Sequence, residues 1–141
     1  MAVQHTLVHH TTGPGLYEIT REVADWTGAE APPGPTLLTL YLRHTSASLV
    51  IQENADPDVQ RDLHGFFRRL APHADAPEMG WITHRTEGPD DMPAHMKAAV
   101  LPTSLAIPVA TGALCLGRWQ GVYLFEHRDR PHRREIVLHL A

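Results

Sequence analysis

Val3, His5, Leu7 and His9 alternate with Gln4, Thr6 and Val8, a period of two that predicts a strand without marking either face as the buried one. Leu16, Ile19, Val23 and Trp26 then fall at helical spacing, which predicts a first helix from Leu16. Gly28 and the run Ala31-Pro32-Pro33-Gly34-Pro35 end it in a stiff surface loop, because proline lacks the N–H a helix needs. Thr36 to Arg43 sets Leu38, Leu40 and Leu42 on one face against Leu37 on the other, and Ser48 to Gln52 forms a second strand, with His44-Thr45-Ser46-Ala47 between them. Asp56-Pro57 is a helix start with an Asp cap and Pro at the first helical position. Val59, Leu63, Phe66, Phe67 and Leu70 follow on one stripe, and Pro72 ends the helix.

Pro77 to Pro89 has no period and reads as a long loop, a length at which loops are often functional. Pro93 to Leu101 suits a short helix with His95 and Ala99 on one side. The remainder is β: Ser104 to Val109, a Thr111-Gly112 turn, Ala113 to Leu116, Trp119 to His127, a polar turn at Asp129-Arg130-Pro131, and Arg134 to Leu140. With no repeats and no low-complexity linker, residues 1–141 form one α+β domain.

Composition narrows the classes. A chain of 141 residues, 43% hydrophobic and 20% charged, buries the core of one domain. Its longest apolar runs, such as Leu105 to Val109, are too short for a bilayer, and Met1-Ala2-Val3-Gln4-His5 is not a basic region leading into a greasy one, so a cytoplasmic protein without a membrane partner is expected. Net charge of -4 and scattered basic residues disfavour nucleic acid, which needs clustered cations to release phosphate counterions. Cys115 is the only cysteine, which excludes an intrachain disulfide and a cysteine-based zinc site. Lys97 is the only lysine, so any Schiff-base chemistry would have to use it.

The densest chemistry lies between His84 and His95, where two imidazoles join the carboxylates of Glu87, Asp90 and Asp91 around Gly88-Pro89 and Pro93. Imidazole suits zinc, whereas paired carboxylates suit magnesium gripping a phosphate, so a divalent metal, Mg or Zn, is expected without a choice between them. His44, His84, His95, Asp90 and Asp91 are the candidate ligands, and His44, His95 and Glu87 the candidate catalytic groups. Asp91 also suits a plain helix cap ahead of Met92-Pro93, and His95 a satisfied structural histidine.

His44 ends an apolar strand, and the Thr45 and Ser46 hydroxyls beside it suit phosphate binding or tautomer control, against the plain alternative of a strand-end turn. A nucleophilic Ser46 or Ser48 is disfavoured, since there is no G-x-S-x-G elbow. Gly117-Arg118-Trp119-Gln120-Gly121 sets a cation, an indole and an amide between glycines that permit close backbone approach, so Arg118, Trp119 and Gln120 are candidate binding residues. Trp119 equally suits a core or an interface. Beyond them Gln120, Val122, Leu124, Glu126 and Arg128 share one strand face.

Taken together, His44-Thr45-Ser46-Ala47-Ser48-Leu49, Gln52-Glu53-Asn54 to Asp56-Pro57, Glu87 through His95, and Ser104 through Ile107-Pro108, Gly112, Gly117 and Trp119-Gln120-Gly121 resemble the YjbQ family from Thr36 onward. The resemblance implies a compact fold of mixed or antiparallel sheets packed with a few helices, a homotrimer, and a site where His44, His84 and His95 meet acidic residues near a subunit boundary. It also implies a weak secondary thiamine-phosphate synthase activity, which joins a hydroxymethylpyrimidine diphosphate to a thiazole phosphate with loss of pyrophosphate. Arg118 departs from the threonine common at that position in similar sequences.

Two functions follow. One is a metal-assisted enzyme on a small phosphorylated molecule, with Glu87, Asp90 and Asp91 holding the ion and His44 or His95 moving a proton. The other is a non-catalytic trimeric module that binds a metal or small anion at the same residues.

Overall fold

The computed structural model describes residues 2–141. In chain order the elements are β1 (Val3–His10), β2 (Gly15–Glu18), α1 (Thr20–Glu30), β3 (Thr36–Leu42), β4 (Ala47–Glu53), α2 (Pro57–Leu70), α3 (Asp91–Val100), β5 (Ser104–Ala110), β6 (Ala113–Leu114), β7 (Gln120–Glu126) and β8 (Arg133–Leu140), with a 3-10 turn at Pro77–Met79. They form an α+β fold of two sheets, five strands in the order β1-β8-β3-β5-β6 and three in the order β2-β7-β4. All the strand pairings are antiparallel.

Alternation explains where the core sits. β3 turns Leu38, Leu40 and Leu42 inward, β8 adds Ile136, Leu138 and Leu140, and β4 and β7 add Leu49, Val122 and Leu124 from the second sheet, all in one cluster with Ile19 and Val23 of α1. Leu37 and Tyr41, out of phase on β3, are exposed. On the edge strand β1, Val3 and Leu7 pack on this core while His5 stacks on Trp26 and His9 meets Tyr17 edge-on. Among the described residues no helix is long and apolar enough to cross a membrane.

The first helix starts later than its periodicity predicts. Leu16 and Tyr17 are in β2, paired with Phe125 and Leu124 of β7, and α1 begins at Thr20. The edge of β7 offers backbone partners to Gly15–Glu18, and this pairing overrides the helical spacing of Leu16 with Ile19 and Val23.

α2 starts as its sequence directs, with the Asp56 carboxylate accepting from the Asp58 N–H at 2.9 Å. It covers the second sheet, where Phe67 meets Phe125 edge-on and Gln60 donates to the Tyr123 hydroxyl at 3.0 Å. The long loop after it is organised from within. Ala74, Met79 and Ile82 form a small core with Met92 and Met96, and the Arg85 guanidinium donates to the carbonyls of Ala74, Met79 and Ile82 at 2.9–3.1 Å. Such a cation rigidifies the loop by satisfying carbonyls that no helix or strand claims.

Candidate metal centre

The site is built where this loop enters α3. Gly88 has φ +101°, a conformation open to glycine, and a side chain there would meet Asp90 Oδ1 at 3.1 Å. Asp91 lies in the first turn of α3, two residues earlier than the predicted helix start, so Asp91 and His95 stand one turn apart on the same face. His84, placed by its neighbour Arg85, approaches from the loop. His84 Nε2 is 2.8 Å and His95 Nε2 is 3.2 Å from the same oxygen, Asp91 Oδ2. The three ligand atoms lie within 4.8 Å of one another.

Asp91 is therefore not the cap that its position suggests. Its other oxygen accepts from Arg128 Nη1 at 2.8 Å, and it is buried at 4% exposure. Arg128 braces the whole turn, donating also to Asp90 Oδ2 at 2.8 Å and to the Glu87 carbonyl at 3.0 Å. Asp90 further accepts from the Asp129 N–H at 2.9 Å. Burial pushes the Asp90 carboxyl up, but the Arg128 and Asp129 hydrogen bonds outweigh it and hold the group below its ordinary range. Asp90 and Glu87 thus stand outside the ligand cluster, Asp90 bound to Arg128 and Glu87 with an exposed side chain.

His95 Nδ1 is 3.0 Å from the Thr45 carbonyl. A carbonyl only accepts, so Nδ1 carries a proton and donates to Thr45, which leaves Nε2 as the ring nitrogen turned toward Asp91 Oδ2. At 3.2 Å the two atoms are matched either by a proton on Nε2 or by a cation held between them. His84 has no such constraint on its tautomer among the described hydrogen bonds, and its side chain is 45% exposed, leaving one side of the cluster open.

His44 lies in a different network. Its Nε2 accepts from the Glu135 N–H at 2.8 Å, and burial first, then Arg134, lowers its pKa. It is not among the clustered ligand atoms. Arg134 and Glu126, 3% and 0% exposed, form a buried ion pair. Thr11 and the N–H groups of His127 and Arg128 complete the hydrogen bonds of Glu126, and Ser46 offers Arg134 both its carbonyl at 3.1 Å and its hydroxyl at 3.0 Å. Thr45 therefore serves the cluster through its carbonyl, and Ser46 serves the buried pair.

Arg118, Trp119 and Gln120 lie at the opposite end of β7 from Glu126, about 20 Å away along a strand of this length. There Arg118 stacks over Trp119 at 4.8 Å and Gln120 accepts from the Gly117 N–H at 2.8 Å. One chain does not bring this group to the histidines.

The residues not singled out from sequence are Arg85, Arg128, His127 and Arg134. Arg134 shares the alternation phase of Ile136, Leu138 and Leu140, and Glu126 that of Val122 and Leu124, so two opposite charges in apolar phase signal a buried pair. Arg128 continues the phase of Glu126 but stands two residues past the end of β7, and the alternation says nothing of its partners Asp90 and Asp91.

Residues 4–141 match the family model described as UPF0047 protein YjbQ-like. The UPF0047 protein sll1880 of Synechocystis is 46% identical over 98% of this chain and 90% of its own length. The UPF0047 protein YjbQ of Salmonella typhimurium is 42% identical over 97% and 96%. A crystal structure of an uncharacterized conserved protein of the YjbQ/UPF0047 family from Clostridium acetobutylicum superposes with a TM-score of 0.81 at 27% identity, covering 99% of both chains. The chain belongs to the YjbQ-like UPF0047 family.

Proposed function

We propose that His84, Asp91 and His95 hold a divalent ion, zinc in preference to magnesium, and that this centre serves a metal-assisted reaction on a small phosphorylated molecule. What carries the reading is the convergence of one ligand atom each from His84, Asp91 and His95 within 4.8 Å, with His95 Nδ1 tied to the Thr45 carbonyl so that Nε2 is the atom turned inward. Two imidazoles and one carboxylate with an open side form the donor set of a catalytic zinc site, while magnesium favours oxygen. When bound, such an ion supplies a Lewis acid that neutralises charge on a phosphoryl oxygen or departing pyrophosphate.

The chain's own groups prepare the place. Arg128 holds Asp91 by Oδ1 and so turns Oδ2 toward the histidines, and the Thr45 carbonyl fixes the His95 ring. Arg128 offsets Asp90, and a divalent ion at Asp91 would bring positive charge to the open side of the cluster, where an anionic substrate can approach. Of the candidate proton carriers we assign the transfer to Glu87, whose side chain is exposed, because the His44 Nε2 lone pair is engaged by the Glu135 N–H. The reaction type is the thiamine-phosphate synthase transfer implied by the family resemblance. Exposed Trp81, Trp119, Leu37 and Tyr41 support self-association, for which the homotrimer is the proposed form.

Metal analysis of protein purified without a histidine tag tests the centre: one zinc per chain is expected, lost in Asp91→Ala and His95→Ala. Wild-type metal content in both variants would remove it. Metal retention without turnover on phosphate esters and pyrophosphates would reduce the centre to a non-catalytic binding site. Sedimentation at three times 15.7 kDa is expected of the trimer, and sedimentation at the mass of one chain would overturn that part.

A further inference from the structure

A cavity of about 560 Å³ opens between α2, α3 and the turn after β7. It is separate from the metal cluster. Pro93 and Lys97, which line it, are displaced by two helical positions from Asp91 and His95, so the cavity and the cluster occupy opposite faces of α3. His64 and Arg68, one turn apart on α2, form the facing wall, with Arg69 beside them.

The lining sets three cations, Arg68, Arg69 and Lys97, against the carboxylates of Asp90 and Asp129. Among the described residues Arg68, Arg69 and Lys97 take part in no ion pair. Of the two carboxylates in the same walls, Asp90 is bound to Arg128 at 2.8 Å, which leaves Asp129, 3.1 Å from His73 Nε2, against three cations and the lining with a cationic excess. Like charges therefore crowd one hollow. Burial lowers the His64 pKa, and Arg68 and Lys97 lower it further. A cation in the last turn of a helix is favoured by the helix dipole, and this accounts for Arg68, Arg69 and Lys97 one at a time. It does not account for their meeting around a single cavity.

His127 supplies a second, independent observation. It lines the cavity at 3% exposure, its Nε2 is 2.9 Å from the Ser48 hydroxyl, and its buried Nδ1 has no hydrogen-bond partner. An unmatched polar atom of this kind in a native fold calls for a partner that the chain does not provide.

We infer that this cavity is an anion site that takes the phosphate group of a small phosphorylated molecule. Arg68 and Arg69 offer planar forks suited to phosphate oxygens, and Lys97 a point charge on the opposite wall. The volume exceeds that of a bare phosphate ion and falls in the range of small-molecule pockets, leaving room for an organic group.

Titration calorimetry on EDTA-treated protein separates this site from the metal centre. The probes are inorganic phosphate, glycerol 3-phosphate and ribose 5-phosphate, with glycerol and ribose as uncharged controls. Binding of the phosphates and not of the controls is expected, with the monoesters above inorganic phosphate. Arg68→Ala and Lys97→Met should each weaken it about tenfold to a hundredfold, the loss expected for one charged hydrogen bond. His95→Ala should leave it unchanged. No heat with any phosphate in a folded protein, or binding unaltered by both cavity substitutions, overturns the inference. Binding abolished by His95→Ala alone places the anion at the histidine cluster and overturns it as well.

Discussion

Two charged clusters grow from the same end of β7 and differ in how fully they are closed. Glu126 and Arg134 are sealed at 0% and 3% exposure, with Thr11, Ser46 and two backbone N–H groups completing the carboxylate and guanidinium. Two residues beyond Glu126, Arg128 holds Asp91 from one side while two imidazoles converge on its other oxygen. The side chains of His84 and His95 are 45% and 34% exposed. The sealed pair joins β7 to β8 and to the loop carrying Thr45, so it organises the fold; the open cluster keeps donor capacity unused, which is what a binding centre needs.

The largest test of that difference is Arg134→Met. Removing one partner leaves the buried Glu126 charge uncompensated, and urea unfolding should show a loss of about 3–5 kcal/mol. Glu126→Leu combined with Arg134→Met should recover most of it, because an apolar pair needs no desolvation of charge. If the double variant is as unstable as the single one, the pair contributes through shape rather than charge. Arg134 and Thr11 hold the Glu126 carboxyl below its ordinary 4.5 although burial pushes it up. A carboxyl whose folded pKa is depressed stabilises above its unfolded pKa, and that stability is lost as pH falls through the folded value. The single variant should therefore lose this acid-side dependence.

The open cluster predicts a smaller, metal-dependent effect. Zinc at a hundred times its Kd should stabilise the wild type by about 2.7 kcal/mol. His84→Ala and His95→Ala should show almost none of this gain, whereas Arg134→Met, though weaker overall, should keep it. A zinc gain that survives in the histidine variants would erase the distinction between the clusters.

His127 stands in the chain between Glu126 and Arg128, donating from its backbone to Glu126 while its ring is buried. Burial, reinforced by Lys97, pushes its pKa down to about 3 from 6.5. The unfolded chain takes up a proton below pH 6.5 that the folded one refuses, so stability is complete above 6.5 and declines toward 3. The slope from this one group reaches at most about 1.4 kcal/mol per pH unit. His127→Asn should flatten it in unfolding measurements across that window, and an unchanged slope would assign the acid sensitivity to other groups.

The contrast also decides what was legible in the sequence. Leu38, Leu40 and Leu42 show their strand by alternation, and Asp56-Pro57 shows its helix by capping, since both are local rules. Leu16 misleads because its partner Phe125 is more than a hundred residues away, and pairing at that distance leaves no local trace. His84 and His95 stand out by their density beside acids. The brace that orients them, Arg128, and the commitment of His44 to Glu135 depend on contacts 37 and 91 residues apart. Ligand types are visible in a chain, and their partners are set by the fold.

Gly88→Ala makes the finest separation. Alanine at φ +101° is strained, and its Cβ would meet Asp90 Oδ1 at 3.1 Å, so Asp90 must give way. The expected loss of stability is about 1–2 kcal/mol, as for a side chain forced into a sparsely populated backbone region. Asp90 shares Arg128 with Asp91, so its displacement should loosen the carboxylate that faces the histidines and weaken the proposed zinc binding about tenfold, the size of an outer-shell loss. Glu126 and Arg134 take no hydrogen bond from Asp90, and the acid limb of unfolding that they set should stay as it is. Zinc affinity equal to wild type in a folded Gly88→Ala protein would mean that the turn does not shape the centre, and that α3 alone, through the one-turn spacing of Asp91 and His95, carries it.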